Sequence, residues 1–240
     1  MLSNEVLYSL QHQLGYHFKD IRQLKVALTH KSYLTEKKRD PEITEQNERL
    51  EFLGDAVLEL IVTEYLYINF TEPEGHLTSL RSSLVNYRIM GDIGKDIGLQ
   101  DIILLSKSEK EELGQARLTI VADCMESVIG AMYLDGGYLP CKNFVKKWII
   151  SKLPEIIADE SYKDAKTKLQ EFAQKKYKQT PKYKILASEG LDHNKVFVAG
   201  VYVLEELIAK GEGRSKQDAE VEAATKAIDL FEKQPKLYVG

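Results

Sequence analysis

Five carboxylates in two short stretches of the chain carry the spacing of a cation site. Glu48, Glu51 and Asp55 stand at i, i+3 and i+7 within Asn47–Ile61, NERLEFLGDAVLELI. At an advance of about 100° per residue they fall within about 60° of one another, on one helix stripe. Leu50, Phe52, Leu53, Ala56, Val57, Leu60 and Ile61 fill nearly every other direction. The helix is thus apolar almost all round, and its acids are expected to be at least partly shielded. Asp123 and Glu126 repeat the device at i, i+3 in Val121–Ala131, VADCMESVIGA. Two such helices packed face to face would bring Glu51, Asp55, Asp123 and Glu126 into one cluster.

Shielded carboxylates cost several kcal/mol unless something compensates them, and stacked like charges cost a helix a few tenths more. A divalent cation offsets both. Mg²⁺ suits such a place because it takes a few carboxylates, keeps several waters and accepts phosphate oxygens. Spacing alone leaves the plainer reading open, in which both acidic stripes face solvent. Glu59, on the first stripe, reads as helix surface. No Ser-His-Asp or Cys-His arrangement is evident, and only His30 and His193 of the five histidines sit in recognisable motifs. A metal-activated water attacking phosphorus in line is therefore the expected nucleophile, with the carboxylates placing the cation.

The elements that would position these residues are helices. Apolar residues recur at three- and four-residue spacing in Ile21–Thr29, Leu50–Phe70, Leu77–Ile97 and Ile120–Leu134. Pro41, Pro73 and Pro140 fall between periodic stretches and Pro154 follows the last, while Asp135-Gly136-Gly137 reads as a helix end. Residues 1–154 are expected to form one helical domain, and EIIADESY, 155–162, a linker.

The period then changes. Ala165–Tyr177 reads as a helix, followed by alternating strands at Lys182–Ser188, Lys195–Leu204 and Glu206–Lys210. Ser215–Phe231 returns to a helix capped by Ser215, with Ala219, Ala223, Ala224 and Ala227 on one face. The order αβββα predicts a small α+β domain at 163–233, with 234–240 a tail.

The net charge of −4 conceals an asymmetry. Residues 1–160 carry 18 Lys and Arg against 25 Asp and Glu, a net −7; the rest carry 15 against 12, a net +3. An acidic half joined to a basic half fits two domains with different tasks. Two cysteines, Cys124 and Cys141, give neither a disulfide framework nor zinc spacing, and read as buried thiols of a reducing compartment. No basic-then-apolar leader opens the sequence, and no run approaches the ~20 apolar residues of a membrane span. A cytoplasmic protein is expected, with no membrane and no organic cofactor.

Asn47–Asp55, NERLEFLGD, resembles the signature of the ribonuclease III family. Further matches lie along nearly the whole chain: ALTHKSY at Ala27–Tyr33, Glu74-Gly75 with Leu77, Arg81 and Leu84-Val85-Asn86, and DCMESVIGAMYLD at Asp123–Asp135. The resemblance implies an all-α nuclease domain followed by a double-stranded-RNA-binding domain. It implies that Glu51, Asp55, Asp123 and Glu126 hold catalytic Mg²⁺, with Mn²⁺ able to substitute. Asp55 and Glu126 are the implied catalytic pair, and Glu48 and Glu74 the accessory acids lining the cutting valley. It further implies a homodimer with one site per subunit, each cutting one strand of double-stranded RNA. Products would carry 5′-phosphate and 3′-hydroxyl ends with two-nucleotide 3′ overhangs, in rRNA and mRNA processing.

Double-stranded RNA is read by shape, through 2′-hydroxyls of two minor grooves and the phosphates between them. By resemblance, Thr167, Gln170 and Glu171 enter one minor groove, His193 in GLDHNKVF the second, and Arg214, Ser215 and Lys216 meet phosphates at a helix start. Two departures stand out. The usually Gly-rich, basic loop before the second acidic helix is SKSEKEELGQA at 106–116, and the usual second lysine after Lys216 is Gln217. Two rival readings follow: a non-catalytic double-stranded-RNA-binding scaffold, and a helical interaction protein. The first should have lost some of the four carboxylates, which are all present; the second leaves the C-terminal domain unexplained.

Overall fold

In the computed structural model, residues 2–36, 39–41, 43–158, 165–189 and 195–233 are described. The chain separates into two compact units, residues 1–162 and 163–240. Among the described residues, no helix is long and apolar enough to cross a membrane.

The first unit is helical. Helix α1 (Asn4–Leu14) opens on Ser3, whose hydroxyl accepts from Val6 N, and closes on Gly15 at φ 67°. Helix α2 (Ile21–Ala27) leads into a 3₁₀ turn at Lys31–Thr35. Helix α3 (Glu48–Asn69) carries the first acidic stripe and buries Leu50, Val57, Leu58, Ile61, Val62 and Leu66. Leu77–Ile97, one periodic stretch in sequence, is two helices: α4 (Glu74–Leu84) and α5 (Tyr87–Asp96). The break is chemical. The side-chain oxygen of Asn86 accepts from the backbone N–H of Arg88 and Ile89, capping a new helix where the apolar period runs on.

The stretch 106–116 is more ordered than its composition suggested. Ser106 accepts from Glu109 N and caps a short helix, α6 (Lys107–Glu111). Helix α7 (Gly114–Gly136) carries the second acidic pair and is mostly buried, ending at Gly137 with φ 79°. It starts before Ile120, where the apolar period begins, because a helix start needs no apolar residue. Pro140 and Pro154 do not interrupt structure. They lie in the first turns of α8 (Tyr138–Trp148) and α9 (Leu153–Ala158), where the missing N–H has no helical partner to lose. Helix α9 also takes up the first residues expected as linker.

The second unit runs α10 (Ala165–Tyr177), β1 (Lys182–Glu189), β2 (Val196–Val203), β3 (Glu206–Gly213) and α11 (Lys216–Lys233). The strands form an antiparallel sheet in the order β1-β2-β3, with Tyr183 opposite Val201 and Val201 opposite Ala209. Leu169 of α10, Val201 and Ala209 of the sheet, and Ala223, Ala224, Ala227 and Phe231 of α11 make its core. This is the α+β domain expected from the sequence. Cys124 and Cys141 are free, buried thiols.

Candidate active site and RNA-binding surface

Helices α3 and α7 pack along each other more extensively than any other pair of elements. Two glycines set how closely they cross. A Cβ on Gly54 would sit 1.8 Å from the carbonyl oxygen of Glu126, and one on Gly130 would sit 2.2 Å from that of Leu50. No side chain fits either place, so the backbones touch. Gly54 lies between Glu51 and Asp55, and Gly130 one turn past Glu126; the glycines therefore bring the two acidic stripes to the same crossing. Ser127 fastens the joint: its hydroxyl contacts both the Asn47 carbonyl oxygen, at 3.2 Å, and that of Asp123, at 2.9 Å.

The electrostatics register the crowding. Burial pushes the Glu126 carboxyl up to about 8, and the charges of Asp55, Asp123, Glu51 and Glu59 push the same way. Glu51 is raised by burial, then by Asp123 and Glu48, and Asp123 is raised by burial. The charge of Lys31 opposes the rise in both. Its ammonium lies 3.0 Å from a carboxylate oxygen of Glu48. Glu51, Asp123 and Glu126 are half-buried, while Asp55 and Glu48 are exposed. Among the described residues no three His, Cys, Asp or Glu side chains close up as a cage for an ion. The donor set nevertheless fits Mg²⁺, which binds through one or two carboxylates, retains waters and leaves positions for phosphate. All four donors are hard oxygens.

Glu74 lies apart from this crossing. It accepts from the Thr78 hydroxyl and lines a cavity of about 440 Å³ with Thr63, Leu66, Tyr67 and Arg81. Along α3, Thr63 and Tyr67 are roughly 12 and 18 Å beyond Asp55 at about 1.5 Å per residue. Within this chain Glu74 therefore does not join the four acids.

In the second unit, Thr167, Gln170 and Glu171 are exposed on α10, and Arg214, Ser215 and Lys216 are exposed at the start of α11. Ser215 accepts from Asp218 N at 3.0 Å, and the Asp218 carboxylate accepts from Ser215 N at 3.1 Å, a reciprocal cap. The glycines of GEGR have a physical role here: a Cβ on Gly211 or Gly213 would strike the α11 backbone at Ala223 or Ala219. Their absence of side chains seats the helix start against β3. Gln217 is exposed in the same turn. His193 lies outside the described residues.

Residues 20–153 match the ribonuclease-III-like family model, and residues 165–230 match the double-stranded RNA binding motif. The chain belongs to the ribonuclease III family. A ribonuclease 3 of Bdellovibrio bacteriovorus is 39% identical over 228 residues, covering 94% of this chain and 96% of that protein. That of Carboxydothermus hydrogenoformans is 41% identical over 234 residues, covering 97% and 99%. Among solved structures, the ribonuclease III nuclease domain of Campylobacter jejuni is similar at a TM-score of 0.55 and 40% identity. It covers 62% of this chain and 99% of its own. This ribonuclease III is thus a double-strand-specific endoribonuclease of the bacterial type, a nuclease domain followed by an RNA-binding domain.

Sequence reasoning missed three features of the site: Gly54, Gly130 and Lys31. The two glycines left a legible trace, since Gly in a helix interior costs about 1 kcal/mol unless close approach compensates it.

Proposed function

We propose that this ribonuclease III works as a homodimer, hydrolysing double-stranded RNA in a Mg²⁺-dependent reaction in which Mn²⁺ can substitute. Its products carry 5′-phosphate and 3′-hydroxyl ends with two-nucleotide 3′ overhangs, and it serves rRNA and mRNA processing in the cytoplasm. Residues 1–154 cut and 163–233 grip the duplex; of the linker and tail expected at 155–162 and 234–240, residues 159–162 and 234–240 lie outside the described residues. The observation that carries the reading is the glycine crossing of α3 and α7, with Glu51, Asp55, Asp123 and Glu126 gathered about it.

Glu51, Asp55, Asp123 and Glu126 hold the cation, with Asp55 and Glu126 central to catalysis. A divalent cation in this place lowers the pKa of a bound water and stabilises charge on the phosphate oxygens. The carboxylates satisfy its charge, and the cation in turn offsets the cost of their burial and mutual repulsion, which push the Glu126 carboxyl up. Glu48 stands at the rim. On the RNA-binding domain, Thr167, Gln170 and Glu171 enter one minor groove and His193 the next. Arg214, Lys216 and the α11 backbone at Ser215 take the phosphates between them.

Dimerisation is supported by α3 itself. Phe52, Leu60 and Tyr67 are 82%, 58% and 79% exposed. They lie within about 80° of one another on the helix, beside the acidic stripe. A two-fold axis perpendicular to α3 that pairs this face would set one α3 antiparallel to its copy. The Glu74 end of each subunit then approaches the acid crossing of the other, which accounts for an accessory acid that lies away from its own site.

The test is Glu126→Gln, assayed for cleavage and for duplex binding. Cleavage should be abolished and binding retained. Equal loss of both would refute the division between a cutting and a gripping domain.

A further inference from the structure

We infer that Lys31 is a phosphate-binding residue of the cleavage site, its ammonium passing from Glu48 to a phosphate oxygen of the RNA strand being cut. The inference rests on the nuclease reading above. The problem it answers is electrostatic: a polyanion must approach a crossing where Glu51, Asp55, Asp123, Glu126 and Glu48 stand together.

Lys31 is built to meet that need. Its backbone is pinned beside the start of α3: Asn47 N donates to Thr29 O at 2.9 Å, and His30 N donates to Leu104 O at 3.1 Å. The His30 ring accepts from Ser32 N and caps the 3₁₀ turn that Lys31 opens. The base of the side chain is therefore fixed, while its end is exposed and pairs with Glu48. Lys31 and Glu48 are 65% and 50% exposed, and their ion pair is 3.0 Å long. A pair so exposed contributes about 0–1 kcal/mol and exchanges partners easily. Glu48 keeps a second partner when Lys31 leaves, because the Gln46 amide donates to its other oxygen at 2.9 Å.

The ammonium thus waits at the open rim of the acids, held in reach by a weak tether. A phosphate offers it a charge-assisted bond, and that bond strengthens as negative charge builds on the phosphate oxygens during attack. The field of Lys31 already reaches Glu51 and Asp123, one on each side of the helix crossing.

The experiment compares Lys31→Met and Lys31→Arg with the native full chain. Duplex RNA binding is measured without metal across a salt series, and single-turnover cleavage at saturating Mg²⁺ and RNA. In Lys31→Met the log–log salt slope should shrink by about one, the share of one phosphate contact. Cleavage should fall about tenfold or more. Lys31→Arg should keep the slope and cleave within about threefold of native, since it carries the charge. A Met variant with the native slope, or with cleavage within twofold of native, overturns the inference and leaves Lys31 a surface ion pair. If the native protein itself shows no Mg²⁺-dependent cleavage, the nuclease reading falls and this inference with it.

Discussion

Replacing Gly54 by Ala tests whether the backbone contact of α3 and α7 builds the site. The added Cβ would lie 1.8 Å from the Glu126 carbonyl oxygen, 2.6 Å from its carbon and 2.9 Å from Gly130 N. Ordinary contact needs roughly 3.4 Å, so the helices must part by about 1.5 Å at their closest point. All three neighbours are backbone atoms and cannot swing aside. Overpacking of this kind costs about 1–3 kcal/mol, and the rigid surroundings place it at the upper end. The better helix propensity of Ala returns up to about 1 kcal/mol, leaving a net loss of about 2 kcal/mol. In a domain of this size that lowers Tm by about 4–8 °C. Because Glu51 and Asp55 flank the substitution and Glu126 is the residue struck, the Mg²⁺ concentration for half-maximal cleavage should rise as well. Circular-dichroism melting and a Mg²⁺ titration of cleavage read the two effects. Gly75→Ala is the control, since its Cβ would meet nothing within 4 Å. A Gly54→Ala protein that melts within 2 °C of native with an unchanged Mg²⁺ requirement would refute the reasoning.

Three further outcomes follow from other parts of the molecule. Burial raises the Asp135 carboxyl, but hydrogen bonds from Tyr16 OH, Lys19 N and Asp20 N outweigh it and hold the group below its ordinary value. A depressed acid stabilises the fold above its unfolded pKa and loses that contribution as pH falls through the folded value. Asp135→Asn should therefore destabilise at pH 7 by about 1–3 kcal/mol, with the gap to native closing below about pH 4; a constant gap from pH 7 to 3 would contradict this. Lys216→Ala should weaken duplex binding and reduce its salt slope by about one, and an unchanged slope would remove Lys216 from the phosphate contacts. Phe52→Glu should shift the protein to a monomer in sedimentation equilibrium, because the ring is 82% exposed on the apolar face of α3; a dimer of native affinity would place the interface elsewhere.

The sequence made the acidic stripes legible because helical periodicity is strong where a helix is apolar nearly all round, as in α3 and α7. The order αβββα was legible for the same reason, since the change from period 3.6 to period 2 falls sharply after Tyr177. What stayed hidden were features that periodicity does not carry. The break at Asn86 was masked by an apolar rhythm that continues from Leu84 to Ile89, and only the cap chemistry of one side chain divides the helices. Pro140 and Pro154 were read as interruptions, although a proline is tolerated in a first turn. The start of α7 precedes its first buried residue, so its polar opening turns looked like loop. Lys31 lies within the ALTHKSY match, but nothing in the linear spacing tied it to the acids, because only the folded chain brings it to Glu48. Glu74 belongs to the family pattern in sequence, yet it sits at the other end of α3 from the crossing, a separation that no linear spacing reveals.

The most direct test incubates the purified protein with a long, perfect RNA duplex in Mg²⁺ and in EDTA, and maps the product ends. Fragments that form only with Mg²⁺, bearing 5′-phosphates and two-nucleotide 3′ overhangs, are the predicted result. Tight duplex binding with no cleavage in either Mg²⁺ or Mn²⁺ would contradict the account and leave the four carboxylates without a catalytic role.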